Sequence, residues 1–136
     1  MKEMMNVIQV IFAALGGWLG WFLGGWDGPL LALVIAITID YITGLMCAIA
    51  DKSLSSEIGF KGIFRKVVIL MLVGVGALLD AYIIKSGEIM RTAVVFYYFS
   101  NEGISILENA AHLGLPVPDK LADVLEQLKE DRHEKG

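Results

Sequence analysis

Apolar residues run along this chain in long blocks, each closed by a short polar segment, and the blocks do not alternate. The first covers about 7–25 (VIQVIFAALGGWLGWFLGG) and ends at a W-D-G-P turn, 26–29. The second covers about 29–50 (PLLALVIAITIDYITGLMCAIA), and a polar stretch, DKSLSSEIGFKG, follows it. The third covers about 63–84, and a K-S-G-E turn at 85–88 leads to the fourth, about 89–111. Each block is near the roughly 20 residues that carry a helix across the hydrocarbon core of a bilayer. Long unalternated runs exclude barrel strands, whose lipid-facing and lumen-facing residues alternate. The pattern predicts an all-α polytopic transmembrane protein of four spans, or three if the polar fourth block does not cross. Residues 1–115 form the membrane domain.

Beyond it, Gly114 and the P-V-P of 116–118 stop the fourth helix, and Pro118 suits a first helical position. Leu121, Val124, Leu125 and Leu128 then recur at helical spacing against a charged opposite face. Residues 116–136 are therefore expected to form a short cytoplasmic amphipathic helix and charged tail. It either docks on its own bundle, lies on the inner leaflet or contacts a neighbouring subunit.

Composition agrees: of 136 residues, 56% are hydrophobic and 19% charged, below the usual share of charge in a soluble domain. The net charge of -4, with no basic cluster interleaved with aromatics, argues against a nucleic-acid partner. Cys47 is the single cysteine and His112 and His133 the two histidines, so neither a disulfide framework nor a metal or cofactor site is expected. No nucleophile elbow or phosphate loop occurs, and an enzyme is not expected. The weak charge of residues 1–6 and the lack of an A-x-A site favour a retained first span over a cleaved signal.

Orientation follows from the cations. With both termini and the central loop on one side, Lys2, Lys52, Lys61, Arg65, Lys66, Lys120, Lys129, Arg132 and Lys135 gather there, leaving Lys85 and Arg91 opposite. The richer side is cytoplasmic, so both termini are expected inside, and Trp18, Trp21 and Trp26 fall toward the outer interface. Lys61, Arg65 and Lys66 read as a cytoplasmic basic anchor, with pairing to Glu108 as a secondary role.

Small residues mark close helix contacts. Glycine recurs every fourth residue at Gly16, Gly20, Gly24 and Gly28, a spacing that lets two backbones approach, within one subunit or between subunits. The second block aligns Ala32, Ala36, Asp40, Gly44 and Ala48 on one face, and the third repeats the pattern with Gly76, Ala77, Asp80 and Ala81. An ionised carboxylate at the bilayer centre costs at least roughly 2.5–3.5 kcal/mol. Asp40 must therefore be protonated, paired or hydrated, through a neighbouring helix or at a pore. Asp80 and Arg91 flank the short turn at matching depth, and an ion pair between them is expected.

The fourth block is the most informative. Arg91, Tyr98, Asn101, Glu102, Ser105, Glu108, Asn109 and His112 fall on one stripe of a 3.6-residue helix, about a third of its circumference. Such a helix lies flat at the interface, lines a water-filled path or forms a polar seam between subunits. A stripe running the full length fits the second and third better.

Three further motifs carry a resemblance. They are D-x-x-x-G at Asp40–Gly44, S-S-x-x-G-x-x-G-x-x-R-K at 55–66, and E-x-x-S-I-x-E-N-x-x-x-x-G-x-P-x-P at 102–118. Over roughly residues 30–128 the chain resembles the toxin secretion/phage lysis holin family. The resemblance implies a phage or prophage protein of the bacterial cytoplasmic membrane, with lipid around it and copies of itself as partners in a homo-oligomeric ring. Such a protein permeabilises the membrane at a set moment, so that an endolysin or a large toxin crosses as cargo. On that reading Glu102, Glu108 and Asn109 line the pore or its subunit seam. The alternatives are a small ion channel or proton-coupled transport subunit using Asp40 and Glu102, and an antiholin or assembly partner that makes no hole.

Overall fold

The computed structural model describes residues 1–85 and 87–135, with the backbone alone for 128–135. Ser86 of the expected turn lies outside the described residues, and the side chains of Leu128, Lys129, Arg132, His133 and Lys135 are likewise not described. The described chain is all-helical, without strands. Helix α1 runs Lys2–Phe22, α2 Gly28–Ala50 and α3 Ser56–Leu78, the last continuing as a π-helical turn over Leu79–Ile84. Helix α4 runs Ile89–His112 and α5 Asp119–Lys135. Three helical stretches, Lys2–Phe22, Gly28–Ala50 and Ser56–Ile84, are long and apolar enough to cross a membrane. The stripe that makes α4 informative also lowers its hydropathy, and it does not join them.

Local chemistry sets the helix ends. Asp27 caps α2, its carboxylate accepting from the Leu30 N–H at 3.0 Å, with Pro29 in the first turn. Ser55 caps α3, its Oγ accepting from the Ile58 N–H at 3.2 Å, and Glu57 sits at the positive end of the helix dipole. Helix α3 thus begins at Ser56, and most of the stretch that reads as a loop is helical. At the close of α4, Gly114 (φ +92) takes the left-handed position, and the Leu115 N–H returns to the Ala110 carbonyl at 3.0 Å.

Helices α2, α3 and α4 form the bundle, and α2 makes its largest interface with α4. Polar contacts tie those two end to end, from Asp27 with Arg91 to Asp51 with His112. Leu23, Leu30, Leu33, Ile37, Ile69, Val73 and Val95 make a continuous apolar core in the half nearer the α1–α2 turn. The half nearer the α2–α3 turn is polar.

Helix α1 stands apart. Among the described residues its helix neighbour is α3, met where the Phe22 ring lies over Gly74 and leaves no room for a side chain there. The close helix approach expected along Gly16, Gly20 and Gly24 is not made within the chain. A Cβ at Gly16 would meet open space, whereas Gly20 is covered by the Trp26 indole, whose N–H donates to the Gly16 carbonyl at 3.0 Å. Gly24 (φ +86) leaves the helix to admit the Arg91 side chain. A close approach of backbones occurs instead at Gly76, where a Cβ would lie 3.1 Å from the Arg91 backbone. Ala36 is buried in the α2–α4 interface, and a Cβ at Gly44 would touch Asn109 at 3.9 Å.

Helix α5 folds back along α4. Leu125 is buried with its methyls against Gly103, while Leu121 and Val124 stay half-exposed.

Candidate functional site: two buried charge clusters

Asp40 lies ten residues before the end of α2, Lys66 ten after the start of α3, and Glu102 ten before the end of α4. Because those ends lie on one side of the bundle, the equal spacing brings the three charges to one level, about 15 Å in at 1.5 Å per residue. There the Lys66 ammonium donates to Asp40 at 2.5 Å and to Glu102 at 2.6 Å. The second Asp40 oxygen accepts from the Ser105 hydroxyl at 2.6 Å and the Asn109 amide at 3.1 Å. That amide also donates to Thr43 Oγ1 at 2.9 Å, and the Cys47 thiol donates to the Asn109 carbonyl at 3.5 Å.

Two carboxylates therefore share one ammonium, an arrangement with one excess negative charge when both are ionised. Such a cluster survives burial when its buried polar atoms find partners. Among the described residues no buried side-chain nitrogen or oxygen lacks one. A half-open cavity of about 460 Å³ adjoins the cluster, with Tyr98, Asn101, Glu102, Ser105, Glu108 and Asn109 on its α4 wall. Lys66 and the exposed Arg65 stand opposite.

The second cluster closes the other end of the bundle. Arg91, 2% exposed, donates through Nε to the Leu23 carbonyl at 2.5 Å and through Nη2 to the Gly25 carbonyl at 2.8 Å. Both terminal nitrogens reach the Asp27 carboxylate, at 2.7 and 3.2 Å. The Arg91 guanidinium holds the Asp27 carboxyl below its ordinary value of 3.8, against the opposing effect of burial. Asp80 caps α4, accepting from the backbone N–H groups of Met90 at 2.9 Å and Arg91 at 2.8 Å. Glu88, at the N-cap position itself, makes no side-chain cap bond.

Two expected pairings are corrected by this geometry. Arg91 pairs with Asp27, not with Asp80. The π-helical turn carries the Asp80 carboxylate onto the N–H groups opening α4, which satisfy it, while the guanidinium points to the α1–α2 turn. Lys66 does not act with Lys61 and Arg65 as a surface anchor. The early start of α3 sets it inside the bundle, paired with Asp40 and Glu102 instead of Glu108. Lys61 and Arg65 are exposed, and Glu108 is exposed with no ion pair among the described residues. His112 meets Asp51 at 2.8 Å on the surface.

Of the polar stripe on α4, the structure thus gathers Glu102, Ser105 and Asn109 around Asp40, sets Tyr98, Asn101 and Glu108 along the cavity, and places Arg91 at the opposite end. Sequence reasoning missed Lys66 as the hub and Asp27 as the partner of Arg91. The equal ten-residue offsets from the helix ends are the signal for the first.

Apolar helices of spanning length around buried, mutually neutralising charges define a small α-helical integral membrane protein. No solved structure matches the chain. The sequence matches the bacteriophage holin family over residues 17–130, and the chain belongs to that family. It is 35% identical over 105 residues to the protein named "Probable holin" of Bacillus phage phi105, covering 77% of this chain and 76% of that one. A 14.9 kDa protein of the nagH 3′ region of Clostridium perfringens is 41% identical over 128 residues, 94% of this chain and 97% of its own. The Lmo0128 protein of Listeria monocytogenes is 40% identical over 110 residues, 81% of this chain and 78% of its own.

Proposed function

We propose that this protein is a holin that assembles in the bacterial cytoplasmic membrane and opens a lesion through which an endolysin, or a large toxin, leaves the cell. The carrying observation is the Asp40–Lys66–Glu102 cluster beside an open polar cavity, midway along three helices. A pore former that stays silent until its moment needs a polar surface that is self-satisfied in one state and wetted in another. This cluster offers such a surface, because Glu102, Ser105 and Asn109 of the α4 stripe are paired with residues of their own chain.

On this reading α4 is a fourth span. Supporting it is the end-to-end match with α2, since a helix lying flat at the interface would not keep pace with a spanning helix from Asp27 to Asp51. Four spans leave both termini cytoplasmic, in line with the lysine and arginine distribution. Wetting proceeds by parting α4 from α2 and α3, with several copies turning Tyr98, Asn101, Glu102, Ser105, Glu108 and Asn109 toward a common path. One four-helix chain cannot enclose a hole that passes a folded protein, so a closed ring of copies is required.

The test is induced expression in a bacterium that also makes an endolysin lacking a secretion signal. Abrupt lysis after a delay supports the holin reading. Ion leakage with the endolysin retained would replace it with a small cation pathway through the same carboxylates. An inert phenotype that instead delays lysis by another holin would mark an antiholin.

A further inference from the structure

If α4 is a fourth span, helix α5 occupies a position that lipid does not allow. Leu125 packs on Gly103, nine residues before the end of α4, so this contact lies about 13 Å into the bundle from the His112 end at 1.5 Å per residue. On the same side, Ala36 and Ile39 of α2 with Phe99, Gly103 and Ile106 of α4 form an apolar groove of about 430 Å³ whose border is Leu121 and Leu125. Asp123 and Glu126 of α5 face outward, exposed. If α2 and α4 both span, those carboxylates stand well inside the hydrocarbon on the lipid-facing side, with no ion pair among the described residues. Docked α5 and a lipid-facing α4 therefore exclude one another.

The segment between them interrupts the helix, so that α5 is joined to α4 by a non-helical link. Residues 113–118 hold Gly114 at φ +92, Pro116 and Pro118, and α5 restarts only at Asp119. Among the described side chains of α5, Leu125 is the buried one, set in the Gly103 notch, while Leu121 and Val124 remain half-exposed. A Cβ at position 103 would come within 2.9 Å of that leucine, so the seat exists because residue 103 is glycine.

We propose that α5 is a removable cover, seated on the α2–α4 groove in a resting form and withdrawn to the inner membrane surface before that side of α4 meets lipid or a second copy. The inference rests on the reading of α4 as a fourth span. The seated form keeps α4 from settling fully into the bilayer, and withdrawal releases it. The cover thus sets when the protein becomes active, and it acts on the face of α4 opposite the Asp40 cluster.

Cysteines at both sides of the seat test this. Gly103→Cys with Leu125→Cys, in a Cys47→Ala background, replaces the leucine that a Cβ at 103 would meet. The purified protein is added to phosphatidylethanolamine–phosphatidylglycerol vesicles holding a trapped dye, after oxidation or after reduction. The expected result is that the two thiols pair on oxidation, that the paired protein leaves the dye trapped, and that reductant restores release. Leu125→Glu, which unseats α5 without a cross-link, is expected to release dye sooner than the native chain. Failure of the thiols to pair, or equal leakage from paired and reduced protein, would overturn the proposal. Failure of the reduced and native proteins alike to release dye would count against the pore reading, while thiol pairing, which needs no leakage, still decides whether α5 docks.

Discussion

The two buried clusters of this bundle hold similar charges by opposite means. At the α1–α2 turn, one guanidinium spends its donors on two backbone carbonyls and the Asp27 carboxylate, while Asp80 takes the backbone N–H groups beside it. Nearly every partner there is main chain or a helix cap, so the geometry is fixed by the fold and leaves little to rearrange. Midway along the helices, one flexible ammonium is shared by two carboxylates, and a hydroxyl and an amide complete the shell. Those partners are all side chains from three different helices, and a cavity lies beside them. The planar fork of arginine suits a fixed joint, and the point charge of lysine suits partners that can change. One end of the bundle is a clamp fixed by main-chain partners, and the middle is held by side chains alone.

Removing the shared cation is the strongest way to test that contrast. Lys66→Met leaves two carboxylates without a counter-charge inside the bundle, a change expected to cost roughly 3–5 kcal/mol. Thermal unfolding in detergent should show a large loss, and the triple change Lys66→Met, Asp40→Asn, Glu102→Gln should recover most of it. A triple variant as unstable as the single one would mean that the cluster is not held by mutual neutralisation.

At the clamp, Arg91→Lys keeps the charge but cannot reach Leu23, Gly25 and Asp27 together. The expected loss is about 1.5–3 kcal/mol, the range for hydrogen bonds to charged groups, read by the same melting experiment. Stability unchanged by this substitution would show that charge alone suffices there. A smaller effect comes from acid. The Asp27 carboxyl is held below 3.8 by Arg91, so its contribution is present above that value and lost as pH falls below 3.8 through the lower folded-state value. Because the Asp27 side chain is 40% exposed, solvent screens the pair and the change is modest. Asp27→Asn should flatten the decline in stability below pH 3.8, and an unaltered decline would assign it to other carboxylates.

The same contrast explains what could be read from the chain. Asp40 and Glu102 stood out because a carboxylate within an apolar run demands a partner. Their partner was obscured because Lys66 follows a stretch that reads as a loop, and the Ser55 cap that starts α3 early is a local detail. Depth alone assigns Arg91 to Asp80. The π-helical turn, which directs Asp80 to backbone N–H groups and frees the guanidinium for Asp27, leaves no mark in hydropathy. The amphipathic period of α5 was plain, but periodicity defines a face and not what the face meets, so the Gly103 seat was not legible. The glycine repeat of α1 had the right chemistry for close contact, and within the chain that contact is made by Trp26 and Arg91 side chains.

On the holin reading, α2 and α3 seal the polar side of α4 before permeabilisation, and water reaches it afterwards. Ser105 touches Asp40 at the heart of that seal, so Ser105→Cys with Cys47→Ala places one thiol there. Cells expressing this variant are treated with a membrane-impermeant thiol reagent before and after induced permeabilisation. The expected result is no labelling before the event and rapid labelling after it. A thiol that stays unlabelled while the endolysin escapes would show that this side of α4 is not wetted.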